Sequence, residues 1–259
     1  MAAAGLSACA KPAPDVPVAS SAGVVLAGEL HDNADAHERR TAWLKERLDA
    51  GARPALAMEQ FDRERQGDLD RALRECRDAA CVVREAGGTQ SGWTWAYYEP
   101  LIALALEHKL PIVAANLSRA DAMKAARQGP SAVFDVATMQ ALKLDREPPP
   151  DLVSGQRKAI VDGHCGKLPA AAVDGIVRAQ FARDAWMAKV VEDHAARGVV
   201  LLAGNGHVRR DLGVPRWLDP ALATRAYSIG FVEDARDGEF DFVVVVPAAK
   251  RGDPCAGLR

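Results

Sequence analysis

No stretch of the 259 residues approaches the ~18 continuous apolar positions that a membrane-spanning helix needs. Neither charge is in surplus: 33 Lys and Arg stand against 35 Asp and Glu, a formal net charge of −2, and the basic residues are scattered. Nucleic-acid binding therefore has no electrostatic footing. Cysteine is sparse and no CxxC pair occurs, so a structural zinc site is not expected. The HExxH spacing of helix-borne zinc sites is missing, as is the Gly-x-Ser-x-Gly elbow of serine hydrolases. Gly204-Asn205-Gly206 lacks the further glycine of a dinucleotide fingerprint. Aromatic residues are few, yet Trp93, Trp95, Tyr97 and Tyr98 crowd into one short stretch.

What the chain does contain is a series of apolar runs that end in reactive side chains. Val24 to Ala27, continued by Gly28-Glu29-Leu30-His31-Asp32-Asn33, reads as a strand covered on both faces. Glu29 and His31 stand two apart and so point the same way, while Asp32-Asn33 can cap the next helix. The design repeats in Pro54 to Met58 before Glu59-Gln60, Leu110 to Ala115 before Asn116, and Gly198 to Gly204 before Asn205-Gly206-His207. A carboxylate and an imidazole at the end of a buried strand are costly unless paired, metallated or used.

Between these runs the periodicity predicts helices over Ala34 to Ala50, Arg63 to Cys76 and Tyr97 to Lys109, then helices within Arg119 to Leu144 broken at Gly129-Pro130. A long helix follows over Ala170 to Arg197, and Gln180 and Asp184 interrupt its apolar stripe as candidate buried polar partners. Arg225 to Val232 and Phe240 to Pro247 read as an antiparallel hairpin at one sheet edge. The expected fold is α/β, with a mainly parallel central sheet flanked by helices. One domain over residues 23–259 follows a tether over 1–22. In a parallel sheet all carboxyl ends share one edge, where ligands bind. Glu29, His31, Glu59, Asn116 and His207 are therefore expected on one rim.

Leu6-Ser7-Ala8-Cys9 resembles the lipobox at which bacterial lipoproteins are cleaved and acylated, although the basic start and apolar stretch of a secretory peptide do not fit before Cys9. The proline-bearing segment from Lys11 to Ala22 reads as a tether to a membrane surface through lipidated Cys9. Cys76, Cys81, Cys165 and Cys255 are an even set able to form two bridges in an oxidising periplasm, and Cys76 and Cys81 are close enough to close a small loop.

Taken together, several segments resemble the ChaN-type haem-binding uptake proteins of the Tiki superfamily. They are Gly28-Glu29-Leu30-His31-Asp32-Asn33, Glu59, Ala114-Ala115-Asn116-Leu117-Ser118-Arg119, Gly163-His164-Cys165-Gly166, Ala179-Gln180-Phe181-Ala182-Arg183-Asp184 and Gly204-Asn205-Gly206-His207-Val208-Arg209-Arg210. The resemblance runs from about Val24 to Pro215. It implies a haem- or iron-binding lipoprotein of the bacterial cell envelope, facing the periplasm from the outer membrane. It also implies that Glu29, His31, Glu59 and His207 correspond to the two-Glu, two-His core of the superfamily.

Two chemistries follow. In the favoured one, the rim, roofed by the Trp93 to Tyr98 loop, holds haem, with a second copy covering the exposed face in a homodimer. Glu29, His31, Tyr98, Asn116, Arg119, His207 and Arg209 are then the cofactor-binding candidates. Iron is held by His or by Tyr98, and Arg119, Arg209 and Arg210 serve the propionates. In the alternative, a divalent-metal-dependent hydrolase related to erythromycin esterases, His31 and His207 hold the ion with Glu29 or Glu59. The other carboxylate takes a proton from bound water. His37 faces either this site or solvent.

Overall fold

The computed structural model describes residues 23–87, 92–234, 238–253 and 255–256, so the Leu6–Cys9 motif and the tether lie outside the described residues. The strands are β1 (Val24–Ala27), β2 (Ala55–Asp62), β3 (Ile112–Asn116), β4 (Val199–Leu202), β5 (Tyr227–Val232) and β6 (Phe242–Val245). They form one six-stranded sheet in the order β3-β2-β4-β1-β5-β6, with every pair parallel. The helices are α1 (Ala34–Asp49), α2 (Gln66–Glu75), α3 (Ala79–Ala86), α4 (Glu99–Glu107), α5 (Arg119–Gln128), α6 (Val136–Ala141), α7 (Pro150–Gly163), α8 (Ala170–His194), α9 (Asn205–Val208) and α10 (Pro220–Ala223).

Strand alternation divides the apolar residues between two layers. Val25 and Ala27 of β1 pack with Trp43 and Leu44 of α1, Leu69 of α2, Val82 of α3 and Leu101 of α4. Val24 and Leu26 face the opposite way, onto Leu152 of α7 and Val177, Phe181 and Met187 of α8. All four residues of β1 are buried, as a strand roofed on both sides requires. The turn out of β1 is fixed by Asn33, whose side chain accepts from Ala36 N at 2.9 Å and starts α1. Ser118 starts α5 in the same manner, accepting from Asp121 N at 3.2 Å.

The sheet edge departs from the expected hairpin, because β5 and β6 run parallel, with Ile229 opposite Phe242 and Val232 opposite Val245. The returning chain lies back over β5 before β6 begins. Phe240 covers Gly230, where an added Cβ would meet its ring at 2.6 Å. Asp241 N donates to Ser228 O at 3.0 Å and Ser228 N to the Asp241 carboxylate at 2.8 Å. Disulfides join Cys76 to Cys81 and Cys165 to Cys255.

Gly230→Val should therefore destabilise the protein by about 1–3 kcal/mol, the usual cost of overpacking a closed site. Urea denaturation measures this, and an unchanged midpoint would mean that Phe240 does not hold the β5–β6 connection.

Candidate functional site

At the carboxyl end of β1 the Glu29 carboxylate is buried and surrounded by donors from three separate segments. His31, two residues on, places Nδ1 2.7 Å from Oε1, and the Tyr98 hydroxyl donates to the same oxygen at 2.7 Å. From α1, His37 Nδ1 stands 3.2 Å from Oε2, and Arg40, wholly buried, forms an ion pair with that oxygen. His37 and Arg40 are three apart on the helix and so share a face. Burial pushes the Glu29 carboxyl up, but Arg40, the His31 hydrogen bond and His37 together hold it below the ordinary carboxylate range. Burial, joined by Arg40, lowers the His37 pKa despite Glu29.

A second buried group lies at the ends of β2 and β4. Glu59 accepts from Gly204 N at 2.7 Å, and its other oxygen stands 3.4 Å from His207 Nε2. His207 Nδ1 is 2.5 Å from Asp184, which projects from α8. Asp184 is thus the buried polar partner that the broken stripe suggested, whereas Gln180 is only half-buried. Burial, with the Glu59 charge adding to it, raises the Asp184 pKa against the pull of His207. Burial opposes the charge on His207, but the carboxylates of Glu59 and Asp184 outweigh it and its pKa is pushed up to about 10. Burial likewise opposes the charge on Glu59, and His207, His31 and the Gly204 amide reverse the effect and lower its pKa.

The two groups meet at Gly204. A Cβ there would lie 3.0 Å from His31 Cε1, 3.1 Å from His31 Nε2 and 3.6 Å from Glu59 Oε2. Gly204 thus lets the histidine of one group approach the carboxylate of the other. Burial lowers and the Glu29 hydrogen bond raises the His31 pKa, with Glu59 adding to give a net upward shift. His31 stands apart from the other members because its side chain is 51% exposed. Its Nδ1 faces Glu29, and among the described residues Nε2 makes no hydrogen bond.

Aromatic rings line this side of the rim. Trp93 approaches the His31 imidazole edge-on at 4.9 Å, and Tyr97 stacks on His37 at 4.6 Å. Beside them runs an apolar groove of about 370 Å³, lined by Ala34, His37, Thr41, Ala96, Tyr97 and Pro100 among others.

Four expected contacts fall elsewhere. Tyr98 is wholly buried behind the rim, with its hydroxyl given to Glu29, and burial with Glu29 raises its pKa far above the ordinary phenol value. Asn116 is also buried and braces two strands, donating to Glu59 O at 2.9 Å and accepting from Leu117 N and Arg183. Arg119 is exposed at the first turn of α5. Arg209 is held by Asp211 at 2.7 and 2.9 Å and by Glu239 at 3.0 Å. Arg40 carried no sequence signal beyond its spacing from His37.

Among the described residues, no group of three or more His, Cys, Asp or Glu is arranged to hold a metal ion. The expected divalent-ion ligands are engaged with one another: both His207 nitrogens face carboxylates, and Glu59 is taken by Gly204 and His207.

The raised His207 pKa contributes stability in full below the ordinary value of 6.5, and that contribution is lost as pH rises through about 10. The depressed Glu59 pKa contributes above the ordinary 4.5 and is lost in acid. Unfolding free energy should fall between pH 6.5 and 10, and His207→Gln should flatten that limb. Denaturant titrations across this range test it, and equal alkaline slopes in the two proteins would refute the assignment.

A family model described as haem-binding uptake, Tiki superfamily, ChaN, matches residues 16–218. Among solved structures, the one titled for cofacial heme binding to ChaN of Campylobacter jejuni is similar at a TM-score of 0.67 and 19% identity, covering 87% of this chain and 88% of that one. Erythromycin esterase EreC is similar at 0.45 and 13% identity, with coverages of 83% and 71%. The type III effector HopBA1 is similar at 0.44 and 12%, with coverages of 89% and 90%. No curated protein matches by sequence.

Proposed function

Since this chain belongs to the ChaN family of the Tiki superfamily, whose description is haem-binding uptake, we propose that it binds haem at the carboxyl rim of its sheet, with His31 as the iron ligand. The observation that carries this reading is the state of His31. A buried carboxylate holds one ring nitrogen, and the other is left free on a half-exposed side chain. Metal-binding histidines are characteristically backed in this way, because the second hydrogen bond fixes ring orientation and raises ligand basicity.

Haem, when bound, would supply the iron, and His31 would hold it through its free ring nitrogen. The chain supplies orientation and an apolar bed. Trp93 meets the His31 imidazole edge-on, and the groove beside the neighbouring His37 and Tyr97 has the mainly apolar lining that small-molecule sites use. Tyr98 supports the site by donating to Glu29. The open face of the cofactor is covered by a second copy of the chain.

The protein acts in haem or iron uptake as a lipoprotein of the bacterial envelope, anchored on the periplasmic side through Cys9. The lipobox-like Leu6-Ser7-Ala8-Cys9 and the two disulfides, which suit an oxidising compartment, support this placement.

Titrating the full chain with haemin should give a saturable Soret shift. His31→Ala should weaken binding by about tenfold or more and alter the iron spectrum, a loss of the size seen when metal-site partners are removed. Sedimentation with and without haemin should report a ligand-linked dimer. Absence of saturable binding to the unaltered protein would end the reading, while loss of the spectrum in Tyr97→Phe with His31→Ala unaffected would move the ligand to Tyr97.

A further inference from the structure

Beyond β6 the chain forms neither helix nor strand among the described residues, yet it is fastened at successive points beside the His31 turn. Pro247 O accepts from the Asn33 side chain at 2.9 Å, and Ala249 N donates to Glu233 at 2.8 Å. Arg251 bridges Asp32, at 2.5 and 2.8 Å, and Glu233, at 2.5 and 2.7 Å. Asn33 also donates to Glu233 at 2.6 Å. The last fastening is covalent: Cys255 is joined to Cys165, in the turn between α7 and α8, and Lys167 Nζ donates to Cys255 O at 3.0 Å. This segment lies past the residues matched by the family model.

The fastenings differ in strength. The Asp32 and Arg251 side chains are 60% and 34% exposed, and ion pairs so open to water are individually weak. The Cys165–Cys255 bridge spans a sequence separation of 90, whereas Cys76–Cys81 spans only 5. A bridge that closes a long loop removes far more freedom from the chain than one that closes a short loop. Both sulfurs belong to half-buried residues, each followed by an exposed one, Gly166 and Ala256, so a reductant has access. Asp32 and Asn33 follow His31 directly, and Asn33 starts α1, which carries His37 and Arg40 to Glu29.

We propose that the Cys165–Cys255 disulfide is a redox latch: closed, it holds the carboxyl-terminal segment against Asp32 and Asn33 and so fixes the His31 turn, and its reduction frees the segment and loosens the site. The reductant is a dithiol. One of its thiolates attacks a sulfur of the bridge and forms a mixed disulfide, and its second thiolate displaces the protein sulfur. Two electrons and two protons pass to the protein as two cysteine thiols, while the reductant leaves as a disulfide. Where the consequence is haem release, the inference rests on the function proposed above; the loosening of the turn does not.

The test uses the full chain without haem first. Hydrogen exchange of the amides in residues 28–37 is compared between the oxidised protein, the dithiothreitol-reduced protein, Cys255→Ser, and a Cys76→Ser/Cys81→Ser double variant. Exchange should quicken about tenfold in the reduced protein and in Cys255→Ser, within the usual range of site-to-site coupling, and stay unchanged in the double variant. Arg251→Ala, with the bridge intact, should give a smaller increase, and it keeps the question answerable if Cys255→Ser does not fold. Haemin affinity of Cys255→Ser should then fall about tenfold. Identical exchange in the oxidised and reduced proteins would overturn the latch. Failure of the oxidised protein to bind haemin would overturn the haem reading and leave the exchange result standing.

Discussion

The rim depends on one unfavourable placement, a carboxylate carried out of water at the end of a central strand. Taking such a charge into the interior costs several kcal/mol unless other groups replace its hydration. Glu29 meets this with a guanidinium, two imidazoles and a phenol, contributed by the turn after β1, by α1 and by the residue before α4. None of these donors is independent of the packing. α1 must dock with His37 and Arg40 toward the sheet, and α4 must begin where Tyr98 can reach the same oxygen as His31. Glu29 therefore acts as a fastener between the sheet and one helical layer, and His31 is the member of the group left in contact with solvent.

The opposite layer is fastened by the same means with a different result. Glu59 of β2, the Gly204 amide after β4 and Asp184 of α8 enclose His207 so that neither ring nitrogen is left over. The two histidines stand at neighbouring strand ends, yet one is consumed by structure and the other is presented outward. Gly204 separates these roles, since a side chain there would occupy the space into which the His31 ring extends toward Glu59. The parallel sheet supplies the convergence, and the hydrogen bonding then decides which convergent group remains available.

The strand ends were legible because an apolar run that stops abruptly at ionisable residues fits the mouth of a buried strand and little else, and the alternation of two helical layers follows from the same runs. Asp184 was legible as a break in the apolar stripe of a long helix. Arg40 was not, because a lone arginine on a charged helix looks solvated until a carboxylate at the end of the preceding strand is placed beside it. The parallel pairing of β5 and β6 was hidden for a related reason. It turns on Phe240 lying over Gly230, a contact between residues that a short connection would ordinarily keep in a hairpin. Tyr98 shows the converse, since its place among aromatic residues suggested a ring on the surface, whereas its hydroxyl was needed inside.

The saturation of the carboxylates also bears on what kind of ligand this rim suits. A bare divalent ion is held by several donors whose lone pairs converge and are otherwise free, and here Glu29, Glu59 and His207 are spent on one another and on their neighbours. Haem would make a smaller demand, because the protein would need to add only a donor to its iron and an apolar surface. A single imidazole fixed from behind and met edge-on by an indole, with an apolar groove beside the neighbouring His37 and Tyr97, is compatible with that demand. The buried ionic groups then have a structural purpose in either state of the site. By engaging one another, Glu29, Glu59 and His207 leave the second His31 nitrogen uncommitted.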